Sequence, residues 1–204
     1  MLWQYYSDIQ KPEYEGTICE GKRWGRGIQY DRNGTTVFEG ECINEQKIER
    51  RIELWSEHQL LHNQIEELIL KDNCCNGKEW TSFDFSILPK LRVLRVKKEC
   101  FRFVEEVKLI GLSQLESVVI GESCFTMYKN GWPQTMNPNR HFYLKNCERL
   151  RELEIGSKSF SDYSLCEISN LPLLEAIEMG EWNDSSDSFM YASLELKSSC
   201  FMKE

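Results

Sequence analysis

Apolar residues recur at a fixed spacing over the last two-thirds of the chain. Five segments share the pattern Leu-x-x-Leu-x-Val, or a close variant of it with other aliphatic residues. Their leading residues are Ile65, Leu91, Leu115, Leu150 and Leu174. Alternation of apolar and polar residues with a period of two is typical of a short β-strand that buries one side. Each segment is therefore predicted to be a strand whose apolar side faces a core.

A second apolar segment follows within each unit and again alternates, so it predicts a second short strand. No unit contains a long amphipathic helix. The connection between the two strands varies in length and is longest from Thr126 to His141. A unit this short cannot bury its apolar side alone, so the units are predicted to stack. The expected fold class is mainly β, a repeat solenoid with two short strands per unit.

This pattern resembles leucine-rich repeats, and the resemblance covers residues 65–204. It departs from the common form after the first strand, where Gly121 and Gly156 begin a Gly-x-x-Cys or Gly-x-x-Ser segment and an asparagine is usual. A Phe follows that Cys or Ser in three units. The resemblance implies a surface for binding other proteins. No polar capping repeat precedes Glu204, which predicts either a longer array or an exposed C-terminal edge that self-associates.

Glycines and aromatics alternate in a different way near the N-terminus. Residues 14–40 contain Tyr-Glu-Gly, spaced glycines, Gly-x-Gly and then Phe-Glu-Gly. This segment resembles a MORN repeat, which implies one β-hairpin per unit. We therefore predict a MORN-like hairpin region at 1–55 that caps the array, a connector at 56–64, and the leucine-rich solenoid at 65–204.

Composition narrows the class of partner. The 204 residues carry 33 acidic and 25 basic side chains, a net charge of −8, which argues against nucleic acid. Nine cysteines, no CxxC pair and no N-terminal signal segment predict reduced thiols in a cytoplasmic protein without a structural zinc site. The shared register places at least five of the cysteines at repeat positions, where they would pack as small apolar residues.

Three short motifs suggest chemistry, and each has a simpler interpretation. Gly16–Lys22 matches the start of a phosphate-binding loop, but Arg23 stands where that loop needs a hydroxyl. His58 and His62 have zinc-ligand spacing without the glutamate of zinc proteases or a third ligand. Cys147 and His141 form a weak candidate for a nucleophile and its base. We therefore predict no catalytic residue, no metal and no cofactor.

The function predicted from sequence is a non-enzymatic scaffold for protein partners. Outward strand positions and aromatic residues in the one-sided connections would contact the partner. The candidate residues are Trp80, Arg92, Arg95, Lys97, Tyr128, Trp132, Glu154, Glu178 and Trp182. The alternative is an adaptor at an acidic phospholipid membrane that uses Lys22, Arg23 and Arg26 in the hairpin region; this membrane surface is the less favoured partner.

Overall fold

The computed structural model describes residues 2–5, 11–55, 61–128, 136–180 and 187–197. Within these ranges the backbone forms sixteen β-strands and one 3-10 turn at Phe85–Ile87, with no α-helix. The described part of the chain therefore holds no helix long and apolar enough to cross a membrane. The chain divides into two compact units, Met1–Arg50 and Arg51–Glu204.

The first unit is one antiparallel sheet in which each strand pairs with the next along the chain. Its strands are β1 (Leu2–Tyr5), β2 (Pro12–Cys19), β3 (Lys22–Tyr30), β4 (Thr36–Ile43) and β5 (Gln46–Ile48). Glu20 and Gly21, with φ of 50° and 77°, form the tight turn between β2 and β3. Positive φ at both central residues suits the right-handed twist of a hairpin.

The spaced glycines of this sheet make room for aromatic rings. The ring of Tyr14 is fully buried and covers Gly16 and Gly27. A β-carbon added to Gly16 would lie only 2.5 Å from the Tyr14 hydroxyl oxygen, so no larger residue fits there. The ring of Phe38 covers Gly40 in the same way, with a closest approach of 2.7 Å.

The second unit contains two parallel sheets; its first two strands belong to one sheet, and the chain then passes alternately from one sheet to the other. The six-stranded sheet comprises β6 (Arg51–Leu54), β7 (Glu67–Leu70), β9 (Val93–Val96), β11 (Ser117–Ile120), β13 (Glu152–Ile155) and β15 (Ala176–Met179). The five-stranded sheet comprises β8 (Ser82–Asp84), β10 (Glu106–Ile110), β12 (Asn137–Lys145), β14 (Tyr163–Ser169) and β16 (Ser193–Lys197). Every pair of neighbouring strands within these sheets is parallel.

The predicted fold class, a repeat solenoid capped by hairpins, is wrong. The structure is mainly β, but its second unit consists of parallel sheets of six and five strands of the α/β type, and only its first unit has antiparallel hairpins. The physical reason is that alternation reports which side of a strand is buried and says nothing about its pairing partner. The first region also ends earlier than residue 55, because β6 pairs with β7 and so belongs to the second unit.

Four phenylalanine rings stack through the core of the second unit. The centroid separations are 4.8 Å for Phe101 and Phe125, 4.7 Å for Phe125 and Phe160, and 4.7 Å for Phe160 and Phe189, with interplanar angles of 14°, 5° and 3°. These separations equal the spacing of neighbouring strands. All four residues have positive φ, between 52° and 58°, which is strained for a bulky side chain. Burial of the rings offsets that strain.

A ladder of thiols and hydroxyls runs beside the stacked rings. Each side chain donates to a carbonyl oxygen at the end of a strand in the preceding unit. The bonds run from Cys100 to Lys71 (3.0 Å), from Cys124 to Lys97 (2.8 Å), from Ser159 to Gly121 (2.7 Å) and from Ser188 to Gly156 (2.9 Å). The repeated Cys or Ser therefore gives a hydrogen bond to the backbone carbonyl that follows each of these strands.

A buried ion pair fixes the beginning of β12. Arg140 and Asp162 are 1% and 2% exposed, and Nη1 lies 2.5 Å from Oδ2. The guanidinium also donates to the carbonyl oxygens of Arg102 (2.6 Å) and Val104 (2.8 Å) and lies over the ring of Tyr163. Its charge and its donors are thus both satisfied, as a buried arginine requires.

We expect Phe125→Ala to destabilise the protein by about 3–5 kcal/mol, because it removes a ring that is packed on both faces and leaves a cavity. Urea unfolding should show a lower midpoint with an unchanged slope. Phe103→Ala is the matched control, since Phe103 is only half-buried and lies outside the stack. Equal losses for the two variants would show that the stack contributes nothing special.

We expect Arg140→Leu to lower the free energy of unfolding by about 3–5 kcal/mol, because the Asp162 carboxylate would remain buried without a counter-charge. The double variant Arg140→Leu/Asp162→Leu should recover part of that loss, since no buried charge remains. Urea unfolding of wild type and both variants measures this. A double variant less stable than the single one would contradict the account.

Candidate functional site

The register of the six-stranded sheet places outward side chains from different repeats in rows. We call the outward positions of β9, β11, β13 and β15 the outward face. One row across it contains Arg95, Val119, Glu154 and Glu178, each paired with the next. The face is thus basic at β9, apolar at β11 and acidic at β13 and β15.

The next row toward the strand ends contains Lys97 followed by three glycines. Gly121, Gly156 and Gly180 each donate their N–H to the end of the neighbouring strand, at 2.7 Å. A β-carbon on Gly156 would lie 2.5 Å from the carbonyl carbon of Gly121. A side chain cannot fit between these segments, so the floor of the face at this row is bare backbone.

Together these rows form a groove of roughly 480 Å³. Val119, Glu154 and Glu178 line one part of it, and Gly121 and Gly156 form its floor. Lys98, Glu122 and Lys158 line it as well, and Lys98 pairs with Glu122 at 3.2 Å. A groove with a backbone floor and carboxylates along its side suits a long cationic side chain, since charge-assisted hydrogen bonds to carboxylates are strong. We call it the acidic groove.

Within the described ranges, two carboxylates of the acidic groove, those of Glu154 and Glu178, have no ion-pair partner, whereas Glu122 is paired with Lys98. Burial raises the pKa of Glu154 above its usual value, and the charges of Glu152 and Glu178 raise it further, while Arg95 partly opposes them. Among the described residues, no cation lies within 4.0 Å of the Glu154 or Glu178 carboxylate. Both acids are therefore positioned to accept a cation from outside.

The basic side of the face contains two of the three predicted cations. Arg95 and Lys97 are exposed and point outward from β9 and its end. Arg92 precedes β9 and is already bound to Glu116, with Nη2 2.9 Å from Oε2, and this contact raises the pKa of the guanidinium. Arg95 and Lys97 thus remain as cations of the face.

The outward side of the five-stranded sheet is different, because its charges pair with one another. Ion pairs join Lys108 to Glu106 at 2.7 Å and Lys145 to Glu167 at 2.6 Å. At the edge strand, Lys197 lies 2.7 Å from Glu195. These cross-strand and same-strand pairs stabilise the sheet and leave little charge for a partner.

The two aromatic candidates that the structure describes, Trp80 and Tyr128, are not among the residues of this surface. Trp80 is half-buried and stacks on Phe83 with a centroid separation of 5.5 Å, so it seals its own connection. Tyr128 is 37% exposed, and its backbone N–H binds the Thr126 hydroxyl. Trp132 and Trp182 lie outside the described residues.

The three lipid-binding candidates lie on β3, but one is used internally. Arg23 is held between Glu13, at 2.6 Å, and Glu45, at 3.6 Å. Lys22 is exposed, and Arg26 is exposed with Glu39 at 3.4 Å. These contacts leave less positive charge on the hairpin than the sequence suggests.

The weak catalytic motif of Cys147 and His141 is not assembled. Burial raises the pKa of Cys147 to about 11, so its thiol stays protonated, and it contacts the Leu109 carbonyl. His141 contacts the Pro138 carbonyl instead of the thiol. His62 lies beside the Gln64 N–H, and His58 is outside the described residues. The described ranges contain no group of three or more His, Cys, Asp or Glu side chains that could hold a metal ion.

Comparison of the chain with protein-family models, with curated proteins and with solved structures found no match. The resemblances to leucine-rich and MORN repeats therefore stay predictions.

Substitution of Glu154 tests whether its carboxylate lowers the stability of the folded chain at neutral pH. A raised pKa in the folded state means that its contribution to stability is present at low pH and is lost as pH rises through that pKa. We therefore expect Glu154→Gln to raise the Tm at pH 7, and the gain to disappear near about pH 3.

Glu53→Gln is the control of opposite sign. The hydrogen bond and charge of Lys71, and those of Arg51, lower the pKa of Glu53, so its stabilisation is present at neutral pH and is lost as pH falls through the folded pKa. Thermal unfolding should show a lower Tm than wild type at pH 7. Shifts of the same sign in both variants would contradict the electrostatic description.

Proposed function

We propose that this chain is a non-enzymatic protein-interaction module that binds its partner through the outward face. The observation that carries the proposal is the unpaired charge on that face. Arg95 and Lys97 on one side, and Glu154 and Glu178 on the other, have no close ion-pair partner among the described residues. The other parallel sheet pairs its charges internally.

Charges of both signs at fixed positions favour specific recognition. Complementary charges steer two proteins into one relative orientation, and like charges reject other partners. Neighbouring strands of a β-sheet are about 4.8 Å apart, so the rows of the sheet fix the distances between these charges. Val119 between the two charged sides adds an apolar contact.

Affinity capture with charge-reversed variants tests the proposal. Wild-type protein and the variants Arg95→Glu/Lys97→Glu and Glu154→Lys/Glu178→Lys serve as baits, and quantitative mass spectrometry measures the captured proteins. We expect proteins enriched by the wild type to fall about tenfold or more with each face variant, because like charges then oppose each other.

Lys78→Glu and Glu148→Lys are matched controls, since both residues are exposed and lie outside the outward face. They should retain the captured proteins. Face variants with unchanged thermal unfolding that still capture the wild-type set would overturn the proposal.

A further inference from the structure

The outward face is complementary in charge to itself. Arg95 on β9 and Glu154 on β13 lie in one row, and β11 separates them. Since neighbouring strands are about 4.8 Å apart, the two positions are at equal distances on either side of Val119. The face thus has opposite charges placed symmetrically about an apolar centre.

A twofold axis that runs parallel to the strands, above Val119, brings two such faces together in register. The operation exchanges the positions of β9 and β13 and keeps each row at its height. Arg95 of one copy then faces Glu154 of the other, and Glu154 of the first faces Arg95 of the second. This is an isologous contact, in which each pair of residues occurs twice.

The acidic groove gives the arginine a place to enter. Its roughly 480 Å³ lies beside Glu154 and Glu178, where the glycine floor leaves room for a long side chain. A guanidinium there can bind carboxylate oxygens with two parallel hydrogen bonds. Lys97, one row further along the same strand, adds positive charge on the same side.

We propose that the partner of the outward face is a second copy of this chain, which inserts Arg95 into the acidic groove of the first. This inference rests on the proposed function, because it uses the same face, and it names the partner. A different contact between copies would use the edge strand β16, where Leu194 and Leu196 are 50% and 58% exposed.

Sedimentation equilibrium of the full chain tests the proposal across a concentration series. The wild type should approach twice its mass of 24.1 kDa at about 50 mM salt and dissociate toward the monomer at about 0.5 M salt, as surface charge pairs are screened. Arg95→Glu and Glu154→Arg should each weaken self-association about tenfold or more, since like charges then face each other at two places.

Two combinations should restore the dimer. In the double variant Arg95→Glu/Glu154→Arg the charges are exchanged and again complementary. In an equimolar mixture of the two single variants, the acidic face of one chain meets the basic face of the other, so a mixed dimer should form. A merely structural effect of either substitution would not be rescued by mixing, and thermal unfolding of each variant confirms that it is folded.

Leu194→Ser/Leu196→Ser is the control for the edge and should leave the dimer intact. A dimer that is lost in this variant but kept in both charge variants would overturn the proposal in favour of the edge. A wild type that remains monomeric at low salt would also overturn it. In that case the capture experiment would still decide the proposed function, since loss of a different protein from the face variants would support it.

Discussion

In-register parallel pairing is the constraint on which the second unit depends. A side chain at a given position of one strand is placed beside the side chain at the same position of the next, about 4.8 Å away. A residue type that is favoured at that position in one strand is therefore favoured at the same position in the neighbouring strands. The stacked phenylalanines, the thiol and hydroxyl ladder and the row of glycines are all consequences of this one geometry.

The rows differ in how much change they tolerate. The phenylalanine row is fully buried, and its residues hold a strained backbone conformation, so each ring depends on the rings above and below. At the glycine row the backbones themselves are in contact, so side-chain volume is excluded there. The outward rows face solvent, so side-chain volume does not limit which residues can stand there, and the residues differ mainly in charge. The charge pattern of that face can therefore vary without a change to the core.

The sequence contains enough information to locate the strands of the second unit, because alternation is local. All five leading residues lie just before a strand and face inward or pack on the core, as the pattern requires. The fold class was not predictable in the same way, since pairing is decided by residues far apart in sequence. Phe189 and Ser188 extend the stack and the ladder, but they follow their leading residue at a longer spacing than in other units and so escape the alignment.

Other features lacked any local signal. In the sequence, Arg140 is a charged residue of the longest connection, where an exposed side chain is the ordinary expectation. In the structure it lies in β12 and is buried, because Asp162 and two carbonyl groups accept its hydrogen bonds. Among the candidate site residues, alternation predicts Arg95, Lys97, Glu154 and Glu178 at outward strand positions, and the register does bring them to one face. Trp80 is a predicted contact because it is an aromatic residue in a variable connection, but it packs inward because Phe83 lies within reach.

Charge left unpaired on a folded surface has a cost in the isolated chain. The raised pKa of Glu154 is the direct sign of it, because burial and neighbouring acids oppose its ionised form. Pairing these acids within the sheet would remove that cost, as Lys145 does for Glu167 on the other parallel sheet. Lys98 and Lys158 line the acidic groove, but in the row beside Glu154 and Glu178 glycines stand where such a lysine would be, and no described lysine pairs with either acid. The same glycines that permit the close approach of the backbones therefore leave the Glu154 and Glu178 carboxylates accessible, and under the proposal a cation from a second molecule removes the electrostatic cost that they carry in the isolated chain.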